Sequence, residues 1–480
     1  MVTPWTAARI GVVSLLFLVP IALPSSLAPT PSSTVDQPHT HLFLAWGPQS
    51  THLQHVVTVV MENHDYDNFF GTYCLVGGPY CSSTGNGLAP GLCVPNDPVN
   101  PYAGCTQPFN FTAAQMNITP DLYHDWASGG LAWNHGAMNG FYKAEGRGST
   151  PFGHYNGSTV PIYWDMAEQY AIGDNMFAAN LSYSLPNHWY LIAGQSPNIT
   201  QHSKLHNSSD QSIYLSQARN TSTVQDLLNG TPVSWKYYDS ALAPWPYAIT
   251  TVHYTGPSSA YDYWNPMASR NESYSPAFAS HFVPRSDFLT DAANGSLPNI
   301  SWVIPAQNVS DHPGYNETFG QSWVAQLVNA VESSPDWSST AIFVVWDDYG
   351  GWYDHVPPPR VLTKLLSFRS PFLVISPFAK ENYIGHAYID FFSLLHFVEW
   401  QFHLGCDTAL DCGASLPLSF FNFNQTARPP IFFPTVWTNA TYPMTLQPIS
   451  QPILCDSCHR IVPWMWPDES WFTGNESMDT

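Results

Sequence analysis

The sequence predicts an α/β fold with a mostly parallel central sheet flanked by helices, and three observations carry that expectation. Apolar, β-branched runs recur as HVVTVVM from His55, ISWVIP from Ile300, TAIFVVWDD from Thr340 and SPFLVISPF from Ser370. The last three are continuous rather than alternating, as in strands covered on both faces. Helix candidates lie among them: PIYWDMAEQYA, QSWVAQLVNAVESS and YIDFFSLLHFVEWQFHL. The second sets Trp323, Leu327, Ala330 and Val331 at a helical period. Finally, polar residues of metal-ligand type end two of the strands, the edge where open α/β sheets gather functional groups.

Taken in order, the amino terminus comes first. In ARIGVVSLLFLVPIALPSSLAPTPSS one Arg precedes an apolar segment of roughly a dozen residues, the size of a signal h-region and short of the ~20 that a spanning helix needs. Residues 1–28 therefore read as a signal peptide or, because Pro29 follows the small residues Ser26 and Ala28 directly, as an uncleaved anchor. Residues 29–50, rich in Pro, Ser and Thr, read as a linker. Residues 51–480 read as a single domain with a carboxyl-terminal extension from about 420. Sequons recur along the chain, from Asn110, Asn117 and Asn156 through Asn299 and Asn316 to Asn475. With the signal-like segment they predict a secreted or extracellular glycoprotein carrying N-linked glycans, or one anchored at the cell surface.

The 8 Cys fall in groups: Cys74, Cys81, Cys93 and Cys105, then Cys406 with Cys412, then Cys455 with Cys458. Outside the cell such groups predict disulfides that close short loops, with pairing left open. The CDSC pair also admits a redox or metal role, but it has no second CxxC to match. A formal charge of −21, from 35 acidic against 14 basic residues, excludes the basic footprint of a nucleic-acid binder. Few cations also suit an acidic surrounding, where protonated carboxylates would otherwise leave positive self-repulsion.

The chemistry gathers at the strand ends. Glu62 and Asn63 follow VVTVVM, and Asp347 and Asp348 follow AIFVVW. One such pair alone reads as a strand-end cap. Two pairs, each followed by Gly and aromatics in DNFFG and DDYGGWYDH, would form an oxygen-rich site on neighbouring strands, suited to one hard divalent cation such as Ca²⁺, Mg²⁺ or Mn²⁺.

Four ordered blocks between Val56 and Pro377 carry a resemblance: ENHDYDNFFG, DLYHDWASGGLAWNHGAMNGF, LSYSLPNHWYLIAGQ and WDDYGGWYDHVPPP. They are similar to signature regions of the phosphoesterase family that contains bacterial phospholipases C and secreted acid phosphatases. The resemblance implies an alkaline-phosphatase-like fold with one metal at the sheet's carboxyl edge. It further implies Glu62, Asn63, Asp347, Asp348 and Ser184 as metal ligands, Ser184 doubling as nucleophile. His124, His312 and, more loosely, His253 match histidines that would hold phosphoryl oxygens, one of them protonating the leaving alcohol. Asp354 and His355 match the family's DH pair without an assignable role. Two departures stand out. Ser182-Tyr183 replaces the family's Gly-Pro, which keeps Ser182 as a neighbouring nucleophile candidate, and Asn139 stands where Asp is common. Lys143 and Arg147, just after that block, are candidates for holding phosphate.

The expected function is a metal-dependent phosphoesterase, first an acid phosphatase acting on phosphate monoesters through a phosphoserine. A histidine-lined site favours acid because an ordinary imidazole titrates near pH ~6.5. The alternative is a phospholipase C that cleaves head groups and so meets a membrane surface. From another class comes an inactive glycosylated surface or binding protein. No nucleic-acid partner is expected.

Overall fold

The computed structural model describes residues 50–75, 84–112, 114–116, 119–146, 148–197, 216–239, 264–270 and 272–435. The amino-terminal segment, His253, Arg147, Cys81, Cys455 and Cys458 lie outside these residues, as does nearly all of the expected linker.

Eight strands form the main sheet: β1 (His55–Met61), β2 (Ala171–Gly173), β3 (Trp235–Asp239), β4 (Phe282–Pro284), β5 (Ile300–Val303), β6 (Thr340–Trp346), β7 (Phe372–Ile375) and β8 (Tyr383–Gly385). Their order is β8-β2-β7-β6-β1-β5-β3-β4. Every neighbouring pair is parallel except those of β7, which runs antiparallel to both β6 and β2. The mostly parallel sheet is thus borne out, with SPFLVISPF as its one reversed member. Parallel neighbours need a crossover, usually a helix. The chain from β6 to β7 has none: it holds only a two-stranded hairpin, Arg360–Val361 against Lys364–Leu365, and so re-enters the sheet from the end it left.

Eight helices of the described residues matter here: α1 (Tyr66–Phe70), α2 (Trp126–Trp133), α3 (Phe141–Glu145), α4 (Pro161–Gln169), α5 (Ser184–Ala193), α6 (Asp287–Ala293), α7 (Glu317–Glu332) and α8 (Phe391–Gln401). Successive strand residues point to opposite faces. On β6, Phe343 meets Phe397 of α8, with ring centroids 5.2 Å apart, while Trp346 meets Tyr163 of α4 at 5.0 Å. Those two positions have opposite parity, so α4 and α8 cover opposite faces. The α4 helix brings α7, and with it α6, to its side, and α8 packs beside α5. All of β1 after His55 and all of β6 are buried, which is why their sequences lack alternation. Side chains fix the starts of the covering helices. Asn316 accepts the Thr318 backbone N–H ahead of α7, and Asp390 forms a reciprocal cap with Ser393 at α8.

Disulfides Cys93–Cys105 and Cys406–Cys412 close loops with separations of 12 and 6 residues, and Cys74 is also disulfide-bonded. Residues 420–435 return to the domain: the Phe433 carbonyl accepts from Asn329 Nδ2 at 2.8 Å, and the Ile431 N–H donates to Glu332 Oε2 at 3.0 Å. No helix of the described residues is long and apolar enough to cross a membrane.

Candidate active site

Register creates the site. Strands β1 and β6 pair with His55 opposite Thr340 and Met61 opposite Trp346, so the next residues, Glu62 and Asp347, leave the sheet side by side. The Asp347 N–H donates to the Met61 carbonyl at 2.9 Å, one step beyond the ladder. Consecutive residues of a regular strand would face opposite ways, but Asn63 turns into the left-handed region at φ 57, which asparagine tolerates better than most residues. Glu62 and Asn63 therefore face the same hydroxyl. Ser184 Oγ lies 2.9 Å from Glu62 Oε2 and 3.4 Å from Asn63 Oδ1. The second signature is fitted to the first at Gly350: φ there is 59, and a Cβ would fall 1.9 Å from the Asn63 carbonyl oxygen. Only glycine suits that contact.

Four of the five sequence-assigned ligands, Glu62, Asn63, Asp347 and Asp348, are fully buried, and Ser184 nearly so. Asp347 Oδ1 accepts the Asn63 N–H at 2.9 Å, and Asp348 Oδ1 accepts the Gly350 N–H at 2.8 Å. Their other oxygens, Asp347 Oδ2 and Asp348 Oδ2, have no hydrogen-bond partner. Burial drives the carboxyls up, Asp347 to about 7 and Glu62 and Asp348 well above the usual carboxylate range, and repulsion adds to it, from Asp347 and Asp348 at Glu62, from Asp348 at Asp347 and from Asp121 at Asp348. Three packed carboxyls with two orphaned oxygens fit a divalent cation, because a buried anion is otherwise neutralised or costly.

Histidine completes the ring. His188, one helical turn after Ser184 on α5, places Nε2 2.9 Å from Glu62 Oε1 and 3.7 Å from Asp347 Oδ2. Glu62, His188 and Asp347 offer ligand atoms close enough together to hold one ion. Sequence reasoning passed over His188, although the i, i+4 spacing from Ser184 in SLPNH was the signal for a shared helix face. His124 donates from Nδ1 to the Leu122 carbonyl at 2.6 Å, which leaves Nε2 directed at the site, 3.4 Å from Asn63 Nδ2 and 3.8 Å from Asp348 Oδ2.

His312 is less intimately placed. Its ring is half-buried, 6.2 Å from that of Trp264, and its own segment reaches the site through Ser310, whose carbonyl accepts the Glu62 N–H at 2.9 Å. Lys143 is exposed at the end of α3. Ser182, unlike Ser184, is built into the turn ahead of α5: its carbonyl accepts from Asn187 Nδ2 at 3.1 Å, and the same amide group reaches the Asn180 and Tyr183 carbonyls. Asn187 thus shapes the turn where the family pattern has Gly-Pro.

Asp354 and His355 belong to a different cluster. Arg369, fully buried, donates to Asp354 Oδ1 at 2.7 Å and to Asp67 Oδ1 at 2.8 Å, and Asp67 Oδ2 holds His355 Nδ1 at 2.6 Å. The guanidinium occupies that acidic pocket as its counter-ion. His64 is likewise structural: its nitrogens bind Asn68 Oδ1 and the Asp311 carbonyl at 2.6 and 2.8 Å, and burial pushes it down to about 4.

Comparisons with known proteins place the chain in a family. A family model described as "Phosphoesterase family" matches residues 53–405, and the chain belongs to that family, a metal-dependent class of hydrolases acting on phosphoric ester bonds. A non-hemolytic phospholipase C of Burkholderia pseudomallei is 26% identical over 73% of this chain and 55% of its own length. Phospholipase C B of Mycobacterium tuberculosis is 26% identical over 73% of this chain and 74% of its own. Non-specific phospholipase C6 of Arabidopsis thaliana is 25% identical over 64% of this chain and 55% of its own. The chain thus spans between about half and three quarters of these relatives. Among solved structures, an alkaline phosphatase superfamily protein from Vibrio parahaemolyticus is 14% identical with a TM-score of 0.32, covering 54% of this chain and 64% of that one.

Proposed function

We propose that the protein is a metal-dependent phosphoesterase in which Ser184 is the nucleophile. The observation that carries the reading is the position of Ser184 Oγ, 2.9 Å from Glu62 Oε2 and beside the carboxylates whose outer oxygens are orphaned. The relatives named phospholipase C bring a phospholipid diester forward as substrate, at least level with the phosphate monoesters that the sequence put first.

The cation would be held by Glu62, Asn63, Asp347, Asp348 and Ser184, with His188 against Glu62. When bound, it supplies positive charge that offsets the phosphoryl group and favours an ionised serine. The chain's own residues do the remaining work. Glu62 Oε2 orients the Ser184 hydroxyl. His124 Nε2, held by the Leu122 carbonyl, would bind a phosphoryl oxygen, and one of the histidines matched by the resemblance would give a proton to the leaving alcohol. Ser184 Oγ bonds to phosphorus as the bond to the alcohol oxygen breaks, and water then cleaves the phosphoserine in a second step. The same residues serve monoester and diester alike.

The test is turnover of a soluble chromogenic phosphate monoester and a matching choline phosphodiester by wild type, Ser184→Ala and Ser182→Ala, across acid to neutral pH, with chelator and after metal return. Ser184→Ala should lose about 10³-fold or more in kcat while Ser182→Ala keeps most of it. Preference for the diester identifies a phospholipase C, and preference for the monoester with an acid optimum identifies a phosphatase. A wild type inactive on both after metal return would turn the assignment toward a binding protein.

A further inference from the structure

Helix α2 presents an unusual surface. A surface helix ordinarily shows charged or polar side chains to water, yet α2 reads WASGGLAW without one ionisable residue. Its exposed positions are Trp126, Ala127, Gly130 and Leu131, which share an arc of about 140° at 3.6 residues per turn. Trp126 is 43% and Leu131 52% exposed. This apolar face begins two residues after His124, whose ring lies 4.5 Å, centroid to centroid, from that of Tyr183 beside the nucleophile. The opposite side of the helix packs at Gly129 on Leu181 and the Tyr349 hydroxyl, so the apolar face lies on the outside of the wall that carries His124.

The hairpin between β6 and β7 lies beside this helix. At its tip Leu362 is 70% exposed and held in the left-handed region at φ 52, a costly conformation for a bulky residue and one that persists where the fold imposes it. Lys364 Nζ anchors the hairpin to Asn180 Oδ1 at 3.1 Å, in the turn before α5. The exposed Arg360 lies with its guanidinium 6.0 Å from the Trp133 ring of α2. The hairpin thus bridges the elements that carry His124 and Ser184.

We infer that the exposed face of α2 and the Leu362 tip form a docking surface for a phospholipid bilayer, which delivers its head groups to the adjacent site. Displayed tryptophan and leucine suit the boundary between acyl chains and head groups, and Arg360 beside them meets the phosphate level. In a chain with 14 basic and 35 acidic residues, an exposed guanidinium at this rim is charge complementarity that a purely apolar partner would not use. The net charge of −21 selects a zwitterionic over an anionic surface. The choice of occupant rests on the phosphoesterase reading above.

Flotation with large unilamellar phosphatidylcholine vesicles tests the docking, and hydrolysis of the soluble choline phosphodiester is followed in parallel. Wild type should float. Leu362→Asp and Leu131→Asp should each weaken vesicle binding about tenfold or more, with soluble turnover changed by less than about twofold. Leu362→Gly removes the side chain while relieving the backbone, so it should fold at least as well as wild type and still bind vesicles less. A wild type that stays in solution, or variants that float equally, overturns the proposal. So does a concentration-dependent dimer in sedimentation velocity that Leu362→Asp abolishes, which would assign the surface to a second copy. Flotation without soluble turnover would leave the docking standing and remove the phosphoesterase reading; turnover without flotation would do the reverse.

Discussion

Replacing Glu62 with Gln should stabilise the metal-stripped protein at neutral pH and remove its response to metal. Burial, then Asp347, then Asp348 raise the Glu62 carboxyl well above its ordinary range. A carboxyl raised in the folded state keeps a proton that the unfolded chain releases near pH ~4.3. The stability it supports is therefore complete below that pH and falls as pH rises through the folded value. Each pH unit over which the folded carboxyl keeps a proton that the unfolded chain has released costs about 1.36 kcal/mol relative to acid. Gln has the same shape, can still meet Ser184 Oγ and His188 Nε2, and loses nothing with pH. In calorimetry with chelator the variant should melt above wild type at pH ~7.5 and level with it near pH ~4.5, by about 2 °C per kcal/mol or less in a chain this large. Metal at a hundred times its Kd should stabilise wild type by about 2.7 kcal/mol and the variant hardly at all, with turnover lost in parallel. A Gln variant that melts below wild type when stripped, or that still gains from metal, would refute the placement of Glu62 as a ligand.

The remaining predictions concern residues around that centre. His188→Gln should weaken metal affinity by about 10- to 100-fold, as removal of a residue that orients a ligand does, measured by metal titration of the stripped protein. Arg369→Met leaves Asp67 and Asp354 buried without their counter-ion and should cost about 3–5 kcal/mol in urea unfolding. Burial pushes Asp311 up to about 7 and Glu332 up to about 8, so their contributions to stability should be complete near pH ~4 and fade as pH rises through 7 and 8. Thermal melts of the metal-loaded protein should follow that slope, and Glu332→Gln should flatten its upper end.

Much of this was legible in the sequence because it depends on residues that cannot alternate. The runs that became β5, β6 and β7 are continuous where both faces are covered, and the polar pairs ending β1 and β6 stand out against that background. Strands β2, β4 and β8 were not legible: each has three residues, too few for a period, and owes its place to neighbours already in the sheet. The reversal of β7 depends on where the intervening loop returns, which local pattern does not encode. Within the site, the candidate ligands were readable as strand ends and through the family resemblance, whereas His188 was hidden among 19 histidines until its helix turned it onto Glu62. The left-handed turn at Asn63 is written only indirectly, in an asparagine where a strand stops.

Asp354 and His355 explain why both signatures extend well past their candidate ligands. Asp67 follows Glu62 by five positions and Asp354 follows Asp347 by seven, and both converge on one guanidinium, with His355 closing on Asp67. Each ligand pair is consequently held twice, by its strand behind and by the Arg369 clamp ahead. A cation gathers its ligands against carboxylate repulsion, so ligands on free loops would spend part of the binding energy on ordering; a clamp at the far end of each loop meets that cost during folding. Arg369→Met should therefore lower metal affinity as well as stability, even though Arg369 touches none of the ligands. If urea unfolding shows the loss and metal titration of the folded variant shows wild-type affinity, the clamp serves stability alone and the ligand geometry is set by the strands.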